Sequence, residues 1–434
     1  MSGCLWRVLL LAVIAGALGI SFIWAPQINH ALGLRGVHNG EFDIEGKYDA
    51  EKVITMGDED ARMVVHFVDV GQGDATLILT PSGQRIIIDA GTGMGSSRDL
   101  LMNYIKEHFD SDYMHSKFQS ENRDEFGFDY AILTHAHEDH MGQFPGILER
   151  YGARVFYRPN VLSARGIDPG EYMLRRDGNG RLAEQNTLIY SQVISRVHNT
   201  HLVGNVRIIS SYIASLNHNY HRITPKYIQS DDPNFYELVF YTPLLNFYRN
   251  QNDFSPVMIL HFQGRSIVIT GDAEVDAERE FVDRAKLGGD IFDRFIQNPN
   301  FSVCVIRLGH HGSRTSSNEF FLEFLTTEQS RHNVLAVISV GHNNRHGHPH
   351  PQVLSRLDNM GFKEDNILRT DIHGSIVVTI SDGNLFVGGT VHRTDAAAVS
   401  LGALNLTWIE IGITLWVIIA LTVFAPSVLK RKKR

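Results

Sequence analysis

Hydrophobic positions along the chain fall into three regimes, and each predicts a different kind of element. Residues 8–25 read VLLLAVIAGALGISFIWA, 18 positions without a charge, and residues 411–429 read IGITLWVIIALTVFAPSVL, again uncharged. Runs of this length predict bilayer-spanning helices. Between them the apolar runs are short and punctuated by Gly, Asp, Asn and Ser. MVVHFVDV (63–70), ATLILT (75–80) and RIIIDAG (85–91) predict a strand, a hairpin and a further strand. DYAILTH (129–135) predicts a buried strand that leads into a polar loop. Weaker strands are expected at 154–157, 206–209 and 236–241. Stronger ones follow at PVMILHFQ (256–263), SIVIT (266–270), VCVIRLG (303–309), VLAVISV (334–340) and SIVVTIS (375–381). Helical spacing of apolar residues fills the gaps at 98–108, 143–151, 274–286, 318–326 and 351–360.

Two β-rich halves with interspersed helices predict an α/β sandwich rather than a doubly wound parallel sheet. The domain reading is an N-terminal transmembrane anchor at 1–26, a polar linker at 27–61, and a folded body at 62–395. A polar insertion is expected at 160–235, a second transmembrane helix at 408–429, and a basic tail, KRKKR, at 430–434. A cleaved signal peptide with Arg7 in its basic region is the alternative for the first run. The run exceeds a usual signal core, and Trp24 and Pro26 flank Ala25 poorly for cleavage. Cations directly after an apolar span mark a cytoplasmic end. Two spans then put both termini in the cytoplasm, the body outside it, and the lipid bilayer as a partner at both ends. A buried core helix with a solvated basic tail is the competing reading of the second run. No repeat with a period of 20–50 residues is visible.

Composition narrows the function classes. The hydrophobic share of 43% and charged share of 20% across 434 residues exclude global disorder. Net charge is −8, and five of the cations sit in the terminal KRKKR, so the body is more acidic still. That balance speaks against a protein that coats nucleic acid, and no broad basic track is visible to hold a phosphate backbone. Two cysteines, Cys4 and Cys304, cannot make a disulfide framework or a cysteine-based zinc module. Cys4 precedes the apolar run and so is not a lipoprotein cysteine. No G-x-x-x-x-G-K-[ST] phosphate loop and no G-x-S-x-G serine-hydrolase element occurs.

The 22 histidines are the unusual feature, because they cluster at strand ends. Directly after YAILT comes His135-Ala136-His137-Glu138-Asp139-His140. Imidazole and carboxylate are the ligand set for Zn²⁺, and with more oxygen for Mn²⁺ or Fe²⁺. At this spacing His135 and His137 can turn to one ion, Asp139 and His140 to another. SIVIT ends in Gly271-Asp272, VCVIRLG in His310-His311-Gly312-Ser313, and VLAVISVG in His342-Asn343-Asn344-Arg345-His346-Gly347-His348-Pro349-His350. One sheet edge is expected to gather these groups. FVDVGQGDA and IIIDAG add Asp69, Asp74 and Asp89 as outer carboxylates. Asp69 and Asp89 are expected to orient histidine ligands, which need acceptors for their second ring N–H.

These motifs carry a resemblance. His-x-His-x-Asp-His with a later Gly-Asp and a further His resembles the metallo-β-lactamase superfamily. FVDVGQGDATLI, IIIDAG, ILTHAHEDHMG, NDFSPVMILHFQGRSIVITGDAE, VIRLGHHGSRTSS and VISVGHNNRHGHPHPQVLSRL are similar to the hydrolase domain of ComEC-type competence proteins and its stand-alone relatives, over roughly 62–389. The resemblance implies a four-layer αββα sandwich with a metal site at one edge. It implies one or two divalent ions, Zn²⁺ ahead of Mn²⁺, held by His135, His137, Asp139, His140, Asp272 and one of His310 and His311. His311 precedes the glycine and is the expected ligand, which leaves His310 to orient a substrate phosphate. Asp139 would orient the attacking water and Asp272 would bridge two ions. Ser313, Arg314, Thr315, Arg345, His346, His348 and His350 would receive a phosphodiester, in nucleic acid or elsewhere.

Two departures from the family pattern stand out. The third histidine of the first metal has no counterpart, since His198, His201, His218 and His221 lie in the polar 163–233 stretch. Asn252-Asp253-Phe254-Ser255 stands where relatives have Asn-x-x-Ser, and His261 sits within an apolar strand as a packing residue. Two candidate spans, moreover, are too few for a DNA-uptake channel. Rival readings are hydrolysis of another ester, lactone or amide at the same site, and an extracytoplasmic metal-binding sensor without turnover.

Overall fold

The computed structural model describes residues 41–43, 48–49, 62–109, 126–165, 174–209, 222–225, 228, 230–245, 247–288, 302–390, 399–401 and 404–406. The chain divides into one unit of residues 1–38 with 390–434 and a second of residues 39–389. In the first, Val399–Leu401 and Leu404–Leu406 pair antiparallel. The two long apolar runs lie outside the described residues. Among the described residues no helix is long and apolar enough to cross a membrane.

The second unit holds the two sheets that the apolar runs predict. The first has ten strands in the order Val203–Ile209, Ala153–Pro159, Phe128–Ile132, Arg85–Ile88, Thr76–Leu79, Arg62–Phe67, Ser375–Ser381, Asn384–Thr390, Glu41–Asp43 and Tyr48–Asp49. The second has seven: Arg222–Ile223, Tyr236–Phe240, Met258–Phe262, Arg265–Ile269, Val303–Arg307, Leu335–Ile338 and Ile367–Arg369.

Side chains alternate faces along a strand, so a strand buried on both sides reads as an unbroken apolar run. The runs here split that way. Val65, Phe67, Ile78, Ile86 and Ile88 share one core with Met258, Leu260, Ile267 and Ile269 of the other sheet. Their neighbours Leu77, Ile87 and Ala131 pack instead with Leu101, Ile147 and Tyr190, which belong to helices Leu100–Tyr104, Phe144–Tyr151 and Leu188–Val197. Ile259, Val268, Ile306 and Ala336 pack with Phe281, Leu322 and Leu357 of helices Val275–Leu287, Glu319–Leu325 and Pro351–Met360. Three cores between helix, sheet, sheet and helix make the expected αββα sandwich. Each fully buried aliphatic residue contributes about 1.5–3 kcal/mol, and a one-residue slip would send every one to the wrong core.

At three places the structure refines the sequence expectations. Residues 98–108 do not form one uniform helix: Leu100–Tyr104 is α-helical and Ile105–Phe109 widens into a π-type turn that buries Ile105 and Phe109. The 160–235 stretch, expected as a polar insertion, carries regular structure in its described part. Its helix Leu188–Val197 buries Tyr190, Val193, Ile194 and Val197, and Val203–Ile209 extends the first sheet parallel to Ala153–Pro159. Polar residues on the outer face of that helix mask its apolar stripe. Finally, part of the 27–61 linker is strand, since Glu41–Asp43 pairs with Asn384–Thr390 and covers what would be an open sheet edge.

The first outer core also buries a titratable group. His66 Nδ1 lies 2.9 Å from the Tyr104 hydroxyl. Burial, assisted by His108, pushes its pKa down to about 4 from 6.5. A base depressed in the folded state favours folding above its unfolded pKa, and that contribution is lost as pH falls from 6.5 toward 4. The His66→Gln variant should therefore lose about 2 kcal/mol less than wild type between pH 7 and pH 5, read by urea unfolding at the two values. Equal losses would show that His66 does not titrate in this window.

Candidate metal centre

Parallel pairing puts the chemistry-bearing loops on one edge. Arg85–Ile88, Phe128–Ile132 and Ala153–Pro159 run parallel, as do Arg265–Ile269, Val303–Arg307 and Leu335–Ile338. Their C-terminal ends therefore carry Asp89, His135–His140, Asp272, His310–His311 and Ser339 to one place.

The centre is built around His140, Asp272 and His311, all at most 2% exposed. His140 Nε2 lies 3.2 Å from Asp272 Oδ1, and His311 Nε2 lies 3.3 Å from Asp139 Oδ2 and 3.6 Å from Asp272 Oδ2. Each imidazole is aimed from behind. His140 Nδ1 donates to Asp89 Oδ2 at 2.7 Å, and His311 Nδ1 donates to the Ser339 carbonyl at 2.8 Å. Asp89 also accepts from the Thr134 N–H at 2.8 Å and hydroxyl at 2.7 Å, so its direction is fixed. The backbone pays for this placement in strain: Asp89, His310 and His311 adopt φ of 59°, 49° and 54°. Gly271, at φ 52°, packs so closely on Thr134 and Ser255 that a Cβ there would collide with both.

These groups fit a cation. Beyond the ion-pair contacts among themselves and with Asp139, the buried atoms His140 Nε2, His311 Nε2 and Asp272 Oδ1 have no hydrogen-bond partner. Unsatisfied buried polar atoms are costly, and three converging ones need an ion or water. Two overlapping sets that include Asp139 or Asp272, His135/His140/Asp272 and Asp139/His140/His311, each place their ligand atoms within 4.8 Å of one another, as does a third behind them, Asp74/Asp89/His140. Electrostatics agree. Burial raises the Asp272 carboxyl, but His140, His311 and His310 outweigh it and hold the group well below the usual carboxylate range. Burial lowers His140, but Asp272 and Asp89 raise it well above 6.5. A cation and the His140 proton thus compete for one nitrogen. Asp139 is held low by His311 and His140 against the opposing effect of burial.

The other expected residues fall into three groups. His135 joins the buried set, 3.7 Å from Asp272 Oδ2, with burial pushing its pKa well down. His137 lies outside both sets, though its Nδ1 is 3.0 Å from His135 Nε2. His310 is not in the buried sets; its Nδ1 is 3.0 Å from Glu274 Oε1 and its Nε2 3.7 Å from Asp272 Oδ2. Beside it the ring of His348, 5.4 Å from that of His310, is flanked by those of His350 at 4.7 Å and His346 at 5.6 Å. Arg314 N–H donates to His350 Nδ1 at 3.0 Å, Ser313 and Thr315 hydroxyls are 2.9 Å apart, and Arg345 Nε lies 3.3 Å from His346. His261 stays on its strand, bonded to the Ser266 hydroxyl at 2.9 Å. Asp69 closes its own turn, Oδ1 accepting from Gly71 N–H at 3.1 Å; Gly71, at φ 74°, bends that N–H back toward it.

Several participants escape sequence reasoning. Ser255 stands between His135 Nδ1 (3.2 Å) and the Asp272 N–H (3.1 Å), so its hydroxyl ties the His-rich loop to the Asp272 turn. Arg307 is fully buried, pairs with Asp74 at 2.5 Å and donates to the Gly271 carbonyl. Asp74 N–H in turn donates to the Asp139 carbonyl at 3.1 Å, so this ion pair braces the backbone beside both metal-facing carboxylates. A cation inside VCVIRLG was the signal that could have exposed it, since an unpaired charge is not tolerated in an apolar strand. Gln185, from the stretch read as an insertion, donates to the Ala136 carbonyl at 2.7 Å.

The Asp89→Asn variant tests the aim of His140. Asn tolerates the positive φ but loses the charge and presents an N–H toward the ring. Metal affinity is expected to fall about 10–100-fold with little loss of folded protein, measured by competition with a chromogenic chelator.

A sandwich with buried imidazoles and carboxylates converging at its strand ends defines the metallohydrolase class of fold. The chain belongs to the metallo-beta-lactamase superfamily, whose family model matches residues 68–368. Its relatives include ComE operon protein 3 of Bacillus subtilis, 25% identical over 320 residues, which cover 72% of this chain and 32% of that protein. Competence protein ComA of Neisseria gonorrhoeae is 32% identical over 122 residues, 28% of this chain and 15% of ComA. The chain is thus of the ComEC type, matching a third or less of the length of these relatives. Among solved structures, Igni18, a metallo hydrolase from Ignicoccus hospitalis, aligns at a TM-score of 0.37 and 15% identity over 73% of this chain and 99% of Igni18.

Proposed function

We propose that the protein is a membrane-anchored, metal-dependent hydrolase that cleaves phosphodiester bonds outside the cytoplasm. The observation that carries this reading is the convergence of His140 Nε2, His311 Nε2 and Asp272 Oδ1, buried and without a hydrogen-bond partner outside their own cluster. With Asp139 and His135 they would hold one or two divalent ions, Zn²⁺ or Mn²⁺, with His137 beside His135. A bound ion of this kind lowers the pKa of its water toward about 7 and polarises the scissile oxygen. Asp139, the most solvent-accessible carboxylate of the set, at 30%, orients the attacking water. Asp272 and Glu274 raise the His310 pKa above the ordinary imidazole value against the effect of burial, which favours the ring as a hydrogen-bond donor to a phosphate oxygen. Burial and neighbouring imidazoles push His348 down to about 3, so it meets substrate as a neutral ring. Arg314, Arg345, His346, His350, Ser313 and Thr315 supply the remaining donors. The competence proteins among the relatives favour a nucleic-acid phosphodiester, and the apolar runs at 8–25 and 411–429 favour anchoring at both ends.

The test is metal analysis of the purified protein with assays on bis-p-nitrophenyl phosphate and single-stranded DNA, before and after chelation. One or two ions per chain, and hydrolysis that disappears on chelation and returns with metal, are expected. A metal-loaded protein that hydrolyses neither substrate would overturn the reading in favour of another substrate or of a binding protein. Anchoring is tested separately by retention in membranes after an alkaline carbonate wash, and release into the wash would sink it.

A further inference from the structure

The loop after His311 is held from both sides by groups outside the metal centre. Glu278, in the first turn of helix Val275–Leu287, is fully buried. Its carboxylate accepts from the Ser317 N–H, from the Asn318 N–H at 3.0 Å and from Asn318 Nδ2 at 2.8 Å. On the opposite side Arg356, from helix Pro351–Met360, donates to the carbonyls of Ser316 at 3.0 Å and Ser317 at 2.6 Å. One side chain takes the N–H groups of the turn and the other its C=O groups.

What the pair grips is strained and connected. Ser317 sits at φ 53°, a conformation that a non-glycine residue keeps only when its surroundings over-determine it. Its hydroxyl accepts from the Gly309 N–H at 3.0 Å, which closes residues 309–317 into a ring. Asn318 Nδ2 reaches the Thr315 carbonyl at 3.2 Å, and Ser316 N–H reaches the Ser313 carbonyl at 3.1 Å. Ser313, Arg314 and Thr315 therefore lie inside a ring whose far end is fixed by Glu278 and Arg356. His311 has its own anchor in the Ser339 carbonyl. Loss of the clamp should thus loosen the substrate-facing residues of the loop more than the metal-facing one.

We infer that Glu278, clamped against Arg356, is a positioning residue that sets the Ser313–Arg314–Thr315 segment for substrate and so governs KM rather than metal binding. The kinetic part rests on the phosphodiesterase reading; the structural part does not. Burial pushes the Glu278 carboxyl up to about 7, with Asn318, Ser317 and Arg356 opposing, so pH 8 keeps it ionised for the comparison.

The experiment compares wild type, Glu278→Gln and Glu278→Asp as full-length proteins at pH 8. Glu278→Gln keeps the shape but turns an amide N–H toward donors. Amide hydrogen exchange in the segment spanning 313–318 should speed up at least about tenfold in Glu278→Gln and less in Glu278→Asp, with bound metal unchanged. KM for bis-p-nitrophenyl phosphate should rise about tenfold with kcat within about threefold, and Glu278→Asp should recover part of the loss. A purely structural role would instead lower the amount of active protein, leaving KM and local exchange as in wild type, and that result overturns the proposal. Should wild type hydrolyse no phosphodiester at all, the functional reading fails alone, because exchange and metal content still decide the clamp. A variant that loses its metal would also refute it.

Discussion

Asp272→Asn is expected to reduce metal-dependent hydrolysis by at least about a thousandfold, a loss of about 4 kcal/mol of transition-state stabilisation. Among the described residues Asp272 meets four imidazoles at once: His140 at 3.2 Å, His311 at 3.6 Å, His135 and His310 at 3.7 Å. The substitution is nearly isosteric, so the sandwich should fold, but it removes the negative charge of the His135/His140/Asp272 set, which also faces His311 of the Asp139/His140/His311 set at 3.6 Å. Bound metal should fall toward one ion per chain or none, and added metal should not restore the rate. Metal content and kcat/KM measured on the same preparation check this. Wild-type turnover with wild-type metal would remove Asp272 from the centre. The Ser255 hydroxyl, which accepts from the Asp272 N–H, gives a graded comparison: Ser255→Ala leaves the carboxylate in place and should cost far less.

The reach of local pattern is clearest where two similar motifs diverge. FVDVG and IIIDAG both read as an apolar strand ending in Asp then Gly, and both predict an orienting carboxylate. Asp89 does orient His140, because its strand lies parallel beside the one that leads to His135–His140. Asp69 leads instead into the Gly71 turn and folds back on its own backbone. Nothing within either short motif distinguishes them; the neighbouring strand does. The helix Leu188–Val197 escaped notice for a different reason, since Tyr190 counts as apolar only once its hydroxyl finds the Val161 carbonyl, at 2.7 Å. Arg307 and Glu278 share a third reason. A buried charge is tolerable only with partners distant in sequence, Asp74 for one and Ser317, Asn318 and Arg356 for the other. Ligand-type residues, by contrast, were legible because metal chemistry demands particular side chains, and strand ends supply them wherever the partners lie.

Gly142→Ala should destabilise the protein by about 3 kcal/mol or more, with the metal centre failing alongside the fold. Gly142 follows the His-rich motif by two residues and has ordinary helical φ, so the cause is space rather than backbone freedom. A Cβ there would fall onto the amide nitrogen of Gly93 and within 2.6 Å of the Thr92 carbonyl carbon, both rigid backbone. The two segments are laced together at this point. Gly142 N–H donates to the Gly91 carbonyl at 2.7 Å, Ala90 N–H to the His140 carbonyl at 2.7 Å, and Gln143 N–H to the Ala90 carbonyl at 3.2 Å. Pushing them apart moves His140 away from Asp89, the residue just before Ala90. Gly146, four residues on in helix Phe144–Tyr151, supplies the opposite expectation. Its Cβ would meet only Met102 Cε, at 3.8 Å, an ordinary contact, and Ala is the better helix former. Gly146→Ala should therefore stabilise by up to about 1 kcal/mol and leave metal binding unchanged. Urea unfolding of the two variants should move in opposite directions, and a Gly142→Ala protein as stable as wild type would show that the 90–93 and 138–143 segments are not packed backbone to backbone.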